Sequence, residues 1–320
     1  MPIPATPYIW FNGKLVAWEK ATVHVLSHAL HYGSSVFEGV RAYATPSGVC
    51  IFRLRDHTRR LFDSAKIYRI QLPFSPEQIN DACRQVIAVN ALAAGAYLRP
   101  IAFRGYGEIG VAPKIDPPVE VAIAAWEWGK YLGHESEEEG VDVCISSWQR
   151  VAPNTIPAMA KAGGTYLSSQ LISQEAKRLG FSEGIGLGPD GTVSEGAGEN
   201  LFLIKDGVLH TPGVAHSLLA GITRDTVMKL ARDLGVEVRE TSMPREMLYL
   251  ADELFFTGTA AEVTPIRSVD RLTIGTGRRG AITEKLQKAF FGLFSGATAD
   301  KWGWLDAVDM QQKPRVAAAS

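Results

Sequence analysis

Excess charge of either sign, cysteine and long apolar runs are all scarce in this chain of 320 residues, and each shortage closes off a class of function. Lysine and arginine number 33 against 34 aspartates and glutamates, so no basic excess is available to follow a nucleic-acid backbone. Cys50, Cys83 and Cys144 are too few and too widely spaced for a disulfide framework or a CxxC zinc pattern. Three buried, reduced thiols and no metal are expected. The most apolar long stretch, "INDACRQVIAVNALAAGAYL", carries Asp81 and Arg84 and reads as a core-facing helix followed by a strand, not a membrane span. "MPIPATPYIW" lacks the basic and apolar regions of a secretory leader, so a cytoplasmic protein is expected.

What is present is a globular composition, 46% hydrophobic and 21% charged, on a length that favours two domains. "YIWFNGKLVAW" sets Asn12-Gly13 between apolar runs, a type I′ hairpin signal. "SVFEGVRAY" and "VCIFRL" read as two strands around the turn "ATPSG". Asp56 can cap a helix bearing Leu61, Phe62, Ala65 and Tyr68, and Ser75, Pro76 and Gln78 form a capping box for the next. Strands "AYLRPIAFR" and "EVAIAAWEW" complete a small α/β domain over 1–127. "GKYLGHESEEEG" reads as a solvated loop and places an inter-domain connection at 128–136. A larger domain spans 137–310, with helices "TYLSSQLISQEAKRLG", "TRDTVMKLARDLG" and "ITEKLQKAFFGLF" among strands and hairpins; 311–320 reads as a flexible tail. The fold class expected is α+β.

GxGxxG occurs three times, at 105, 186 and 275. A dinucleotide fingerprint needs a strand before it, a helix after it and an acid about 20 residues on. Prolines follow the first copy, the second contains Pro189, and too little chain remains after the third. All three read as turns, which leaves a nicotinamide-binding enzyme without its main signal.

"PNTIPAMAKAGGTYLSSQ" raises a different chemistry. Lys161 sits among Ala158, Met159, Ala160, Ala162, Gly163 and Gly164, small or apolar neighbours that leave room beside its amine. Such a lysine can hold an aldehyde cofactor as a Schiff base; alone it is an ordinary loop lysine. Three further stretches bear on the choice. Glu195 and Glu199 in "SEGAGENLF" could keep a pyridine nitrogen protonated, or be two carboxylates on a surface hairpin. "LLAGITRDT" could bind a phosphate through Gly221, Ile222 and Thr223 at a helix start, or simply cap that helix with Thr223. The amides of Gly258, Thr259 and Ala260 in "FFTGTAAEVTP" could cradle a carboxylate, or only end a strand. A lysine, a pyridinium partner, a phosphate cradle and a carboxylate cradle are the parts of a pyridoxal 5′-phosphate enzyme acting on an amino acid.

In "SHALHYGSSVFEGVRAY", "APNTIPAMAKAGGTYLSSQ", "SEGAGENLF", "GITRD" and "GTAAEVTPIRSVD" the chain resembles the bacterial branched-chain amino-acid aminotransferases, class IV enzymes of fold type IV. The likeness runs from "YIWFNG" to "DKWGWLD". It implies a small N-terminal domain and a larger one with a β-barrel-like core. It implies that Lys161 binds pyridoxal 5′-phosphate, that Glu195 pairs with the ring nitrogen and that Tyr166 bonds the phenolic oxygen. Arg60, with Leu219, Gly221, Ile222, Thr223, Gly258 and Thr259, would hold the rest of the cofactor. Tyr32, Phe37, Gly39, Tyr97, Arg99, Trp128, Thr259 and Ala260 would line the substrate site, with Arg99 on the distal carboxylate of glutamate. Implied substrates are leucine, isoleucine, valine, glutamate and their 2-oxo acids, and the implied assembly is a homodimer or a hexamer of dimers. Within the same fold the rival readings are D-amino-acid aminotransferase and aminodeoxychorismate lyase. One departure is Ala220, where related chains often carry proline before Gly-Ile-Thr-Arg.

Overall fold

Asn12 and Gly13 take φ of 47° and 87°, the left-handed pair a type I′ turn requires, and close the hairpin of β1 (Tyr8–Phe11) and β2 (Lys14–Ala17). The structure, a computed structural model, describes residues 3–128 and 136–311. These divide into two compact units, one of 3–128, 160–164 and 294–311, the other of 136–159 and 165–293. Residues 160–164 and 294–310, which the sequence pattern assigns to the larger domain, thus belong to the first. Most of the connection at 128–136 and of the tail after Gln311 lies outside the described residues.

The first unit continues with α1 (His28–Tyr32), β3 (Ser35–Phe37), β4 (Val40–Thr45), β5 (Gly48–Phe52), α2 (Leu54–Ile67), α3 (Pro76–Val89), β6 (Gly95–Arg104) and β7 (Val119–Trp126). Its sheet runs in the order Leu305–Ala307, β5, β4, β6, β7, β1, β2, with β3 also on β6. Leu61, Ala65, Ile79, Cys83, Val86 and Ile87 bring the apolar faces of the two long helices onto Val40, Leu98, Val121 and Ile123 of the sheet. Ser75 caps α3 with Gln78 in the reciprocal box, Pro76 at the first turn. Asp56 does not cap α2: the N-cap is Arg53 in the left-handed region. Asp56 lies inside the first turn, accepting from Arg53 Nε at 2.7 Å and Arg59 Nη2 at 2.7 Å, where its charge suits the helix dipole.

One expected strand is two. "SVFEGVRAY" breaks at Glu38–Gly39 into β3 and β4. Gly39 is confined there, since a Cβ on it would fall 1.9 Å from Tyr97 Oη. Residues 160–164 cross beside the break: Val36 bridges Ala162, Phe37 N–H donates to Lys161 O at 3.0 Å, and Ala162 joins the core.

The second unit holds α4 (Ser136–Glu139), a short helix where the acidic run suggests a loop, then β8 (Val141–Ile145), α5 (Tyr166–Arg178), β9 (Glu183–Leu187), β10 (Val193–Gly196), β11 (Asn200–Lys205) and β12 (Val208–Thr211). After these come α6 (Ile222–Asp233), β13 (Val238–Glu240), α7 (Glu246–Tyr249), β14 (Glu253–Gly258), β15 (Glu262–Val269), β16 (Leu272–Thr273) and α8 (Ala281–Ser295), the last two residues of which count with the first unit. The mixed sheet runs β10, β9, β8, β15, β14, β11, β12, β13, with β16 on β15. Val143, Ile185, Leu201, Leu203, Phe256 and Ile266 form its core. On α6, Val227, Leu230 and Ala231 are buried as their spacing predicts, but Leu234 is half exposed at the last turn. Gly180 and Gly235, at φ 79° and 75°, end α5 and α6. The three glycine patterns are turns, with Gly110, Gly191, Gly275 and Gly277 all at positive φ. All three cysteines are buried and free. Among the described residues no helix is long and apolar enough to cross a membrane, and no acidic, histidine or cysteine group is gathered as for a metal.

Candidate active site

Lys161 is half buried in the first unit, its amine 5.1 Å from the centroid of the Phe37 ring. The crossing segment fixes its backbone: Lys161 N–H donates to Ser64 Oγ of α2 at 3.0 Å, and its carbonyl accepts from Phe37. The guanidinium of Arg99 lies over the same Phe37 ring at 4.8 Å and over Tyr97 at 5.4 Å, with Nη2 3.4 Å from Tyr97 Oη. Tyr97 in turn packs on Trp126 at 5.3 Å and Trp128 at 4.9 Å. Amine, guanidinium and an aromatic wall therefore meet around one phenylalanine. Arg99 Nε is buried with no hydrogen-bond partner. Tyr32 is placed differently, 43% exposed and against the rings of His28 and His31.

Arg60 projects from α2 onto Glu38, at the break between β3 and β4. Its Nε and Nη2 donate to the two carboxylate oxygens at 2.6 and 2.8 Å, and His57 Nδ1 meets the same carboxylate at 2.7 Å. Glu38 is wholly buried. Burial alone would raise its pKa, but the Arg60 charge and the bonds from Arg60 and His57 outweigh that and hold the carboxyl far below the usual range.

In the second unit Glu195 is a buried residue of β10, not an exposed hairpin carboxylate. The β9–β10 register shifts between Val193 and Glu195, a bulge of the kind that re-aims a side chain. Arg150 Nη2 donates to Glu195 Oε1 at 2.7 Å; Asn200 Nδ2 and Leu219 N–H both reach Oε2 at 3.1 Å. Asn200 also donates to Leu219 O at 2.9 Å, tying the carboxylate to the loop that leads into α6. That helix is capped not by Thr223 but by Gly221, without any side-chain cap bond, and Thr223 is buried in the first turn. A Cβ on Gly221 would sit 1.9 Å from Asn200 Oδ1. Asn200 pairs with Thr257 across β11 and β14, which brings the β14–β15 turn of Gly258, Thr259 and Ala260 to the same end of the sheet. Thr257 Oγ1, just before that turn, is buried without a partner. Glu199 is buried as well, with Oε2 accepting from Gly198 N–H at 3.0 Å. Tyr166 opens α5 half buried, after a 3₁₀ turn at Gly163–Thr165.

The pattern that defines amino-transferase class IV matches residues 35–269. The chain belongs to the class IV aminotransferases. This aminotransferase is 58% identical over 302 residues to the branched-chain-amino-acid aminotransferase of Escherichia coli K12, covering 94% of this chain and 97% of that one. A crystal structure of the Escherichia coli enzyme superposes with a TM-score of 0.94 at 57% identity, covering 95% and 100% of the two chains. A branched-chain amino acid aminotransferase from T.th., 44% identical, was solved with pyridoxamine 5′-phosphate (TM-score 0.91) and with N-(5′-phosphopyridoxyl)-L-glutamate (0.90), each covering 95% of this chain and 99% of that one. Family and ligand together imply a cofactor of the pyridoxal-phosphate type.

Each unit holds donors that fit such a group: the first an amine for an aldehyde, the second a buried carboxylate for a ring N–H and, for a phosphate, a helix start without a side-chain cap with an unmet hydroxyl at the same sheet end. Sequence reasoning misses Glu38, Arg150 and Asn200. Glu38 carries one signal, an acid inside an otherwise apolar strand pattern; Arg150 and Asn200 carry none, because their partner carboxylate is 45 and 5 residues away and only folding brings them to it.

Proposed function

We propose that this aminotransferase moves the amino group between L-leucine, L-isoleucine or L-valine and 2-oxoglutarate, on pyridoxal 5′-phosphate attached to Lys161. The observation that carries the reading is the Phe37 ring, which Lys161 Nζ and the Arg99 guanidinium both overlie, at 5.1 and 4.8 Å. An aliphatic side chain lies against Phe37, Tyr97 and Trp128; the distal carboxylate of glutamate reaches Arg99, whose fork suits a carboxylate. One pocket so serves both substrates of a double displacement.

Pyridoxal 5′-phosphate, when bound, supplies an aldehyde that joins amines and a pyridinium ring that draws electrons from the substrate Cα. The chain's own residues do the rest. Lys161 Nζ would be the general base that takes the substrate Cα proton and delivers it to the C4′ carbon of the cofactor. Glu195, ion-paired with Arg150 and oriented by Asn200 and Leu219, holds the proton on the ring nitrogen. Tyr166 donates to the phenolic oxygen. Arg60, the first-turn amides after Gly221 at Ile222 and Thr223, and the Gly258–Thr259 turn hold the phosphate. Thr259 and Ala260 amides take the substrate α-carboxylate, and Gly39 gives Tyr97 its place in the pocket wall. Tyr32, exposed on its own unit, serves in a homodimer or a hexamer of dimers, and the enzyme works in the cytoplasm.

The test is optical. L-Leucine, L-isoleucine and L-valine each shift the absorption of the bound cofactor in the pure protein, 2-oxoglutarate restores it, and D-alanine leaves it unchanged. Response to D-alanine alone, or amino exchange at the wild-type rate by Lys161→Ala, would overturn the assignment.

A further inference from the structure

The buried cluster of Glu38, His57 and Arg60 lies one residue from Phe37 but touches no substrate in the reading above. Glu38 has no exposed surface, yet both its oxygens are occupied by charged or polar donors: Arg60 Nε and Nη2 at 2.6 and 2.8 Å, His57 Nδ1 at 2.7 Å. The two donors come from one face of α2, three residues apart, and the next residue on that face, Ser64, receives the backbone N–H of Lys161. Glu38 itself is fixed through its N–H to Pro100 O at 2.8 Å. Burying a carboxylate is costly unless it is paired, so a chain needing only packing here would hold an apolar residue.

We propose that Glu38 is a positioning residue for the cofactor phosphate: it locks the Arg60 fork in one orientation before any phosphate arrives. The inference rests on the assignment of Arg60 to the phosphate. A side-on pair through Nε and Nη2 leaves the guanidinium no freedom about its own long axis, so the direction in which its remaining N–H groups point is set by Glu38. Two effects of the carboxylate oppose each other. It orients Arg60, which favours phosphate binding; it also cancels the Arg60 charge, which weakens it. The geometry, with both fork positions at charge-assisted distance and all three groups packed on one helix face, points to orientation as the larger effect.

Glu38→Gln and Glu38→Asp separate the two. Gln keeps the volume and restores the full Arg60 charge; Asp keeps the charge but ends one methylene short. Equilibrium binding of pyridoxal 5′-phosphate and of unphosphorylated pyridoxal to cofactor-depleted protein is the readout. If Glu38 positions Arg60, both variants lose roughly tenfold or more in affinity for the phosphorylated form while pyridoxal binding changes little. Tighter binding of pyridoxal 5′-phosphate by Glu38→Gln, or wild-type selectivity in Glu38→Asp, overturns the inference. Arg60→Lys is the control for the underlying assignment: if it leaves the preference for the phosphorylated form intact, Arg60 does not hold the phosphate and that reading falls first. Should both Glu38 variants fail to fold, the wild type decides. A locked Arg60 gives a sharp, slowly exchanging Nε–H resonance in the cofactor-depleted protein, identified by its absence in Arg60→Lys; a mobile or rapidly exchanging one refutes the proposal.

Discussion

Replacing Gly221 with alanine tests how the Glu195 carboxylate is held. Gly221 has φ −70° and ψ 135°, which alanine adopts without strain, so any cost must come from contact. The added methyl would lie 1.9 Å from Asn200 Oδ1 and 3.1 Å from its Cγ, so the buried amide has to move. Asn200 then loses its bonds to Leu219 O and Glu195 Oε2. These are worth about 1 and about 1.5–3 kcal/mol, the second being made to a charged acceptor. Stiffening of the unfolded backbone by alanine returns about 0.4–1 kcal/mol. The net expectation is a loss of ~2–3 kcal/mol, read from urea unfolding of wild type, Gly221→Ala, Asn200→Ala and the double variant. With Asn200 already truncated, the methyl keeps only its 3.3 Å contact with Arg224 Cβ, and its cost should shrink to less than about 1 kcal/mol. Retention of the cofactor through gel filtration should follow the same non-additive pattern. Equal cost of Gly221→Ala in both backgrounds would show that the clash with Asn200 is not what reserves position 221 for glycine.

Other expectations follow from the first unit. Gly39→Ala drives a methyl into Tyr97 Oη and should cost about 1–3 kcal/mol in urea unfolding, part of it recovered by Tyr97→Phe. Arg99→Lys removes the fork but keeps the charge; KM for 2-oxoglutarate should rise roughly tenfold while that for L-leucine changes little, and equal changes in both would contradict the assignment. His57 has its pKa lowered, burial outweighing the bond to Glu38. Below about pH 6.5 the unfolded chain therefore binds a proton that the folded one refuses, and stability falls as pH falls by up to ~1.4 kcal/mol per unit until the depressed folded value is reached. Urea midpoints from pH 7 to pH 5 should fall less steeply in His57→Asn than in wild type; parallel slopes would place the lost stability elsewhere.

Local chemistry is legible in the sequence, and distant pairing is not. Asn12-Gly13, the Ser75 box and the glycines after α5 and α6 act through the nearest few residues, so composition alone exposes them. Lys161 stands out for its small neighbours, and those neighbours are there because the chain crosses the β3–β4 break, with Ala162 in the core. Glu195 looks like a surface acid in the sequence because its counter-charge, Arg150, is 45 residues back. The split of "SVFEGVRAY" is hidden for the same reason: its cause is Tyr97, nearly sixty residues on, whose hydroxyl fills the space a side chain at 39 would need. Asp56 misleads because an acid near a helix start suits both the cap and the first turn, and Arg53 takes the cap in a left-handed conformation.

The carboxylate at the strand break has a consequence for how the enzyme matures. On the proposed assignment of Arg60 to the phosphate, a guanidinium buried for a ligand's sake would normally leave the empty protein with an uncompensated cation, and folding would then wait for the ligand. Here the counter-ion Glu38 is built into the polypeptide, so on that assignment this corner closes around itself first and admits the cofactor afterwards as a guest.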